Sequence, residues 1–184
     1  MYLKTYDVSD PESPQLLGKT LMIHSPDAIE VRGEYAYICA DEYLYILDVS
    51  NPSQPKIMSS KKYPPDNDAQ DIAVSGDFVY VTCLGGKIRS IDISDPQFPR
   101  EEGTYSAAGL SGRIEVHGNY AFVAGGANGL QVVDISDPAF AANPIIDSSS
   151  RATLLPISMY TVISSFFRFR GNGGFKNPRC IETG

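Results

Sequence analysis

The side chains that most often carry catalysis or bind metals are sparse in this chain of 184 residues, which has two histidines and three cysteines. His24 and His117 occupy different positions of the repeat described below, so we expect solvated side chains and no shared metal or general-base site. Cys39, Cys83 and Cys180 form no Cys-x-x-Cys pair, which indicates neither a disulfide framework nor a zinc centre. Because Cys39 and Cys83 lie in apolar strand patterns, we expect their free thiols to behave as small hydrophobes.

Serine, carboxylate and glycine patterns do not assemble a catalytic group either. The nucleophile elbow Gly-x-Ser-x-Gly does not occur. The recurring phrase Asp-x-Ser-Asp has too few acidic positions for a calcium cage of about 6 to 8 oxygen ligands, so we interpret it as turn capping. The pairs Gly85-Gly86 and Gly125-Gly126 precede no helix and are predicted to be turns, not phosphate-binding loops. We therefore predict no catalytic residue, no metal site and no cofactor.

A repeat of roughly 42 residues organises the chain. The phrase Asp-[Val/Ile]-Ser-[Asp/Asn]-Pro begins at Asp7, Asp48, Asp92 and Asp134, with spacings of 41, 44 and 42 residues. A Gly followed by two aromatic residues at alternate positions occurs three times, as GEYAYI, GDFVYV and GNYAFV. The Gly residues are predicted to form tight hairpin turns, and the Asp-to-Pro phrases are predicted to end strands.

Alternating apolar residues between these turns predict four short antiparallel strands per unit, which we name a, b, c and d in chain order. Four such strands form one blade of a β-propeller. The fold class is therefore all-β, a β-propeller-like array of about three complete blades plus a half blade. The predicted strands are 2–8 and 15–20 in the half blade, then 28–32, 35–40, 43–49 and 56–61, then 71–75, 78–83, 87–93 and 100–105, and finally 113–117, 120–124, 129–135 and 145–148.

The phrases LYILDVSNP, QVVDISDP and GNYAFVAGG resemble the LVIVD-repeat family, which is named for an apolar strand that ends in Asp. The segments 44–48 and 130–134 match that naming strand, whereas Lys4 and Thr5 stand where aliphatic residues are usual, which suggests an exposed or frayed half blade. The resemblance implies a domain of LVIVD-type blades over residues 1–148. It also implies a β-propeller-like protein of the kind often found at cell surfaces or secreted, although we expect no signal peptide in this chain.

Charge separates the repeats from the end of the chain. Residues 1–150 hold 10 Lys or Arg against 21 Asp or Glu, a net charge of −11, whereas residues 151–184 hold 5 against 1, a net charge of +4. An acidic body repels phosphate backbones and anionic membranes, so we expect no nucleic-acid partner. The divergent tail, residues 149–184, lacks the next Gly-aromatic phrase.

Three interpretations of the tail stay open. It could complete a last blade by pairing with the half blade, which would remove exposed sheet edges. It could instead be foreign to the fold and disordered. A membrane anchor is disfavoured, because the apolar run 153–167 contains Pro156 and is shorter than the roughly 20 residues that a span needs. We expect no membrane span.

Positions that vary among equivalent strands are the candidate binding residues, because the fold does not fix them. At one position of strand a the units carry Ala28, Asp71 and Arg113, and two residues later they carry Glu30, Ala73 and Glu115. We therefore propose Asp71, Arg113, Glu30 and Glu115 as binding residues near the channel. The alternative is that Asp71 and Arg113 form a structural or solvated ion pair.

Two classes of function stay open. The first is a non-catalytic repeat scaffold or interaction module from a cell-surface or secreted β-propeller protein, with a protein or small-ligand partner that the sequence does not identify. The second is a fragment of a propeller-fold enzyme, a hydrolase or lyase, whose active residues lie in missing blades. The recurring residues form strands and turns, which favours the first class.

Overall fold

The computed structural model describes residues 1–63, 68–106, 112–124, 129–140 and 145–147. For residues 145–147 it describes the backbone only. These residues form a two-stranded sheet and three four-stranded antiparallel sheets, with no helix among them. The half blade contains β1 (Tyr2–Asp7) and β2 (Gln15–Leu21). Blade 1 contains β3 (Pro26–Arg32), β4 (Tyr35–Ala40), β5 (Tyr43–Asp48) and β6 (Lys56–Lys62). Blade 2 contains β7 (Ala69–Ser75), β8 (Phe78–Cys83), β9 (Lys87–Asp92) and β10 (Arg100–Ser106). Blade 3 contains β11 (Ile114–His117), β12 (Tyr120–Ala124), β13 (Leu130–Asp134) and β14 (Ile145–Asp147). The predicted all-β, propeller-like architecture is confirmed, and the tail, residues 149–184, lies outside the described residues.

The hairpin between strands a and b is the same in each blade. Arg32 pairs directly with Tyr35, so the connection has two residues, and its first residue, Gly33, has a φ of +57°. Gly76 and Gly118 have φ values of +55° and +58°. A positive φ at the first but not the second of two turn residues is the type II′ pattern, which matches the twist of the flanking strands and favours glycine. The prediction of tight hairpins at the three Gly-aromatic phrases is confirmed.

Each Asp-to-Pro corner is held by two hydrogen bonds from backbone amides to side chains. In blade 1 Asp48 Oδ1 accepts from the N–H of Ser50 at 2.9 Å, and Asn51 Oδ1 accepts from the N–H of Ser53 at 3.1 Å. The same pair of bonds recurs at the other three corners. The hydroxyl and amide of Ser50 hold the pKa of Asp48 below its ordinary value. The prediction of turn capping is confirmed.

Two strands begin earlier than predicted because each contains a β-bulge. Strand β3 extends back to Pro26 and shifts register between Pro26 and Ala28, and β7 extends back to Ala69 and shifts register between Ala69 and Asp71. A bulge adds an unpaired residue and breaks the alternation that the sequence pattern follows. The alternation therefore predicted only the regular part of each strand, and the other bounds agree with the prediction or differ from it by one residue.

Apolar side chains fill the spaces between neighbouring sheets. The buried set between blades 1 and 2 includes Tyr37, Cys39, Leu44, Ile46, Ile72, Val74, Val79 and Val81. The set between blades 2 and 3 includes Ala73, Tyr80, Ile88, Ala121, Val123 and Val133. The half blade covers the other face of blade 1, where Met22, Ile38, Tyr45 and Leu47 are buried and Leu3 packs against them. Both faces of the blade 2 sheet are thus covered by neighbouring strands, whereas in blade 1 Ile29 and Val31 of β3 stay exposed.

A hydroxyl from each blade bonds the Asp-to-Pro corner of the next. Thr5 donates to the Pro52 carbonyl, Ser59 to the Pro96 carbonyl at 2.7 Å, and Ser90 to the Pro138 carbonyl. Thr5 and Ser90 lie in strand c, two residues before the corner Asp, whereas Ser59 lies in strand d. The hydroxyl therefore comes from either strand, but every described junction has one.

Where the hydroxyl is in strand c, strand d has a glycine. Gly18 of β2 and Gly103 of β10 occupy the position of Ser59. A Cβ added at Gly103 would lie 2.7 Å from the carbonyl oxygens of both Pro138 and Ala139. At Gly18 it would lie 2.5 Å from the Pro52 carbonyl oxygen. Real Cβ atoms do not approach backbone so closely, so these glycines are required by the approach of the next blade.

Replacement of this glycine should loosen the junction between blades 2 and 3. We expect Gly103→Ala to lower the free energy of unfolding by about 1–3 kcal/mol, because the backbone of the adjacent corner must move. The measurement is urea unfolding followed by circular dichroism. Glu102→Ala, at the exposed neighbouring position, is the matched control and should change stability little. Equal stability of the two variants would contradict the close approach.

Candidate functional site

The a strands of three successive blades meet along one side of the array, where β7 packs against both β3 and β11. A cleft of about 390 Å³ lies at their hairpin ends. Its lining comes from all three blades: Arg32 and Tyr37 from blade 1, Val74, Ser75 and Gly76 from blade 2, and Val116 from blade 3. We name this feature the strand-a cleft. It is the candidate site because residues of three blades converge on it, and its exposed lining is mainly polar.

Glu30, one of the predicted binding residues, bridges blades 1 and 2. Its Oε2 accepts a hydrogen bond from the backbone N–H of Val74 at 2.9 Å. Its Oε1 accepts from Arg32 Nε at 2.7 Å. Val74 lies in an edge strand, and its amide points away from the pairing partner, so the carboxylate satisfies a donor that the sheet leaves unpaired.

Asp71 does the same between blades 2 and 3. Its Oδ2 accepts from the backbone N–H of Ile114 at 2.9 Å. Burial raises the pKa of the Asp71 carboxyl, while the amides of Ile114 and Ile72 and the charge of Arg113 act in the opposite direction. The charge of Arg113 thus acts on Asp71, but the hydrogen bond shown for Asp71 is to backbone.

The two variable positions of strand a complement each other. Blade 1 has Glu30 where blade 2 has Ala73, and blade 2 has Asp71 where blade 1 has Ala28. Each of these two junctions therefore uses one carboxylate, which comes from one position or the other. In blade 3 the same positions carry Arg113 and the exposed Glu115. A binding role for the four residues stays a prediction. The structure shows that Glu30 and Asp71 each accept a hydrogen bond from a backbone amide of the next blade.

The residues that line the strand-a cleft include none of the four predicted binding residues, and Arg32 is the charged residue of the lining that sequence reasoning missed. Its guanidinium is held through Nε by Glu30, and 60% of its side chain is exposed. This bond leaves the two terminal amino groups of the guanidinium for another acceptor. Glu30 and Arg32 are two apart on one strand, so they share a face, and that spacing was a signal in the sequence.

A buried ion pair was also missed. Arg89 of β9 is 3% exposed, and its Nη1 lies 2.6 Å from Glu101 Oε1 on β10. The guanidinium lies over the ring of Tyr63, 5.9 Å from its centroid. Because Arg89 and Tyr63 lie buried inside the junction between blades 1 and 2, they organise that junction, whereas the Glu101 side chain is 27% exposed at its border.

The two histidines differ in their surroundings. His24 is half-buried, with its ring stacked on Tyr43 at 4.0 Å and its Nδ1 2.5 Å from the Tyr45 hydroxyl. The prediction of a solvated His24 is therefore wrong, because the segment after β2 lies against strand c of blade 1. His117 is exposed, as predicted. Among the described residues, no three His, Cys, Asp or Glu side chains lie close enough to hold a metal ion.

The two cysteines in the described part of the chain are buried and free, as predicted. Burial raises the pKa of Cys39 to about 12 and also raises that of Cys83. Both thiols are therefore neutral near pH 7 and pack as apolar groups. Cys180 lies outside the described residues. In the portion that the structure describes, no helix is long and apolar enough to cross a bilayer.

Repeated four-stranded antiparallel sheets that pack through equivalent faces define a β-propeller-like repeat protein. The LVIVD repeat matches residues 25–62, 66–107 and 108–148. The chain belongs to the LVIVD-repeat family, which confirms the resemblance. No curated protein matches the chain.

Solved structures share the fold at low sequence identity. A functionally unknown protein from Desulfotomaculum acetoxidans DSM 771 is 17% identical, with a TM-score of 0.61 over 79% of this chain and 48% of that one. The β-propeller domain of Cps50 (Swd1) from Myceliophteria thermophila is 15% identical, with a TM-score of 0.55 over 77% and 53%. The computationally designed Ika8 protein is 11% identical, with a TM-score of 0.54 over 72% and 40%. The chain thus spans about half or less of these structures.

The Asp71 carboxylate should stabilise the junction between blades 2 and 3 through its acceptor oxygen. We expect Asp71→Ala to lower the free energy of unfolding by about 1–3 kcal/mol, because the buried amide of Ile114 loses its partner. Asp71→Asn keeps an acceptor oxygen and should cost clearly less. Urea unfolding of the two variants at neutral pH checks the difference. Equal losses of stability in the two variants would show that the hydrogen bond from Ile114 is not the source of the stabilisation.

The stability difference between the wild type and Asp71→Asn should depend on pH. Burial raises the pKa of folded Asp71 from the ordinary value of 3.8, so ionisation is less favourable in the folded chain than in the unfolded chain. The part of the stability that depends on protonation of Asp71 is therefore complete below pH 3.8 and is lost as the pH rises through the folded pKa, while the hydrogen bond from Ile114 remains. We expect the stability of the wild type relative to Asp71→Asn to fall over that window, as measured by urea midpoints. A constant or rising difference would contradict this assignment.

Proposed function

We propose that the chain is a non-catalytic interaction module that binds a carboxylate-bearing partner in the strand-a cleft. The observation that carries the proposal is the position of Arg32, held by Glu30 at the edge of a cleft that three blades build together. A guanidinium binds a carboxylate with paired, charge-assisted hydrogen bonds. Because the Nε of Arg32 is already bonded to Glu30, the arginine side chain loses less conformational freedom when a partner binds.

The remaining walls of the strand-a cleft suit an extended peptide or a small molecule. Val116 supplies apolar surface, and Ser75 supplies a hydroxyl. A volume of about 390 Å³ is within the range of small-ligand sites and holds one or two side chains. Since the rest of the surface is acidic, the partner must bring its carboxylate to Arg32 and keep other anionic groups away from the body.

The proposal includes a place at the cell surface or outside the cell, as part of a longer propeller protein. A longer propeller is supported by the fact that the chain spans about half of the first matched structure. The location is what the resemblance to the LVIVD-repeat family implies. A carboxylate-binding interaction module would serve there by holding a partner without converting it. The alternative, a fragment of a propeller hydrolase or lyase, requires active residues from other blades.

Arg32 provides the test. We expect fluorescence anisotropy with a library of labelled peptides to find ligands with a free C-terminal carboxylate or an acidic side chain. Arg32→Gln should weaken such ligands roughly ten-fold or more, because a charge-assisted hydrogen bond is lost. Arg100→Gln, at an exposed arginine on β10 outside the cleft, is the matched control and should leave binding unchanged. Amidation of the peptide terminus should reproduce the Arg32→Gln loss for terminal ligands.

Three results would argue against the proposal. Peptides that bind both variants equally well do not use the strand-a cleft. An absence of saturable binding throughout the library removes a carboxylate as the recognised group. Chemical conversion of a bound ligand, detected by mass spectrometry and lost in Arg32→Gln, would favour the enzyme alternative.

A further inference from the structure

Tyr37 brings an unpaired hydroxyl to the strand-a cleft. The residue is only 5% exposed, because its ring packs in the apolar set between blades 1 and 2. It nevertheless lines the cleft, so its small exposed part faces the cleft. Within the part of the chain that the structure describes, the hydroxyl forms no hydrogen bond. A polar group that the fold leaves unpaired beside a cleft is available to a ligand.

A negative charge acts at the same hydroxyl. Asp77 directly follows Gly76 in the hairpin turn of blade 2, and Gly76 lines the cleft. Burial raises the pKa of Tyr37, and Tyr35 and the charge of Asp77 raise it further. The hydroxyl is therefore neutral near pH 7, and its oxygen can accept a hydrogen bond. Asp77 itself is exposed, and among the described residues its carboxylate has no ion-pair partner.

The strand-a cleft is thus flanked by a cation from one blade and an anion from the next. Arg32 of blade 1 offers donors, whereas Asp77 of blade 2 and the oxygen of Tyr37 accept. The ion pair of Arg32 is with Glu30, and none joins Arg32 to Asp77. The cleft volume of about 390 Å³ is near the low end of the range of about 300 to 1,000 Å³ for small-ligand sites. These groups suit a small ligand that carries charges of both signs.

The charge of the whole body favours such a ligand over a simple anion. Residues 1–150 have a net charge of −11. A ligand whose only charged group is a carboxylate is repelled by this field as it approaches Arg32. An ammonium group on the same ligand cancels that repulsion and is attracted to Asp77. The acidic body therefore selects carboxylates that carry a nearby positive charge.

We propose that the strand-a cleft binds a small zwitterion with one carboxylate and one ammonium, which is the chemistry of a free amino acid or a short peptide. Arg32 donates to the carboxylate, and Asp77 and the oxygen of Tyr37 accept from the ammonium. This inference rests on the proposed function, since both place the carboxylate on Arg32. It adds the second charged group of the ligand and the residues that hold it.

Six small molecules serve as probes. They are leucine and the dipeptide alanyl-leucine, each with free ends, with an acetylated amine and with an amidated carboxylate. We expect isothermal titration calorimetry with the full chain to show binding of a free-ended form. The acetylated form should bind roughly five-fold more weakly or worse, because the hydrogen bonds of the ammonium are lost. Binding of leucine would make a free amino acid the ligand, and binding of alanyl-leucine alone would make it a short peptide.

Variants of the full chain assign the ammonium to its acceptors. Asp77→Asn should lower the affinity for the free-ended ligand to about that for the acetylated ligand, and should not weaken the acetylated ligand. Glu102→Gln removes the same charge at an exposed position on β10, so it is the matched control and should change neither affinity. Both variants change exposed side chains, so urea unfolding should give the stability of the wild type.

Tyr37→Phe tests the hydroxyl by itself. We expect this variant to weaken the free-ended ligand roughly two-fold or more, because one acceptor of the ammonium is lost. The free energy of unfolding should stay close to that of the wild type, because the ring remains and the hydroxyl has no partner to lose. A large loss of stability with unchanged binding would give Tyr37 a structural role and remove it from the site.

Three outcomes would overturn the proposal, and they separate it from the proposed function. Equal binding of the free-ended and acetylated ligands, with loss of the amides, keeps the carboxylate on Arg32 but rejects the ammonium site. Equal weakening of the free-ended and acetylated ligands by Asp77→Asn shows that Asp77 does not hold the ammonium. An absence of binding by all six probes rejects the zwitterion, and the labelled peptide library then decides the proposed function on its own.

Discussion

The structure depends on sheets that are apolar on both faces and therefore need a neighbour on each side. In β4 and β5, four or more successive residues are buried, although alternate side chains of a strand point to opposite faces. A single blade of this kind would leave one or both apolar faces in water. Stacking therefore provides most of the burial, and the stability of each blade comes largely from the junctions that it shares.

The polar groups at the junctions decide how closely and in which register the blades meet. Each junction between complete blades has a carboxylate that accepts from an edge amide and a hydroxyl that bonds the next Asp-to-Pro corner. Both satisfy backbone groups that strand pairing leaves unpaired at the edge of a sheet or in a turn. Apolar contact is not directional, so apolar side chains alone would allow several relative positions of two neighbouring blades. The hydrogen bonds at the junction select one of them.

Much of the fold could be predicted from the sequence, because strands and hairpins follow local rules. The alternation of apolar residues gave the strands, and Gly33, Gly76 and Gly118 gave the turns. The bulges beside Ala28 and Asp71 could not be predicted, since an extra unpaired residue breaks the alternation on which the prediction rests. Contacts between blades were also out of reach, because they depend on which face of one sheet meets the next.

In the candidate site, too, some features could be predicted from the sequence and others could not. Variation at strand a was interpreted as freedom for binding, but Glu30 with Ala73 and Asp71 with Ala28 are complementary choices that each supply one carboxylate per junction. An alignment of the repeats against themselves could have revealed that pattern if the positions had been compared in pairs. Arg32 escaped notice because its repeat equivalents are Ser75 and His117, so nothing marked it as part of a recurring motif.

The exchange of the junction hydroxyl between strands c and d bears on how such arrays evolve. Blade 1 combines Ile46 with Ser59, and blade 2 combines Ser90 with Gly103. A recombination event that ended between strands c and d could join Ser90 to Ser59, which would place two hydroxyl side chains in the space for one. It could also join Ile46 to Gly103, which would leave the junction without a hydroxyl. Gene duplication and shuffling should therefore be tolerated when breakpoints keep strands c and d together, and the four-stranded blade is not the smallest inherited unit.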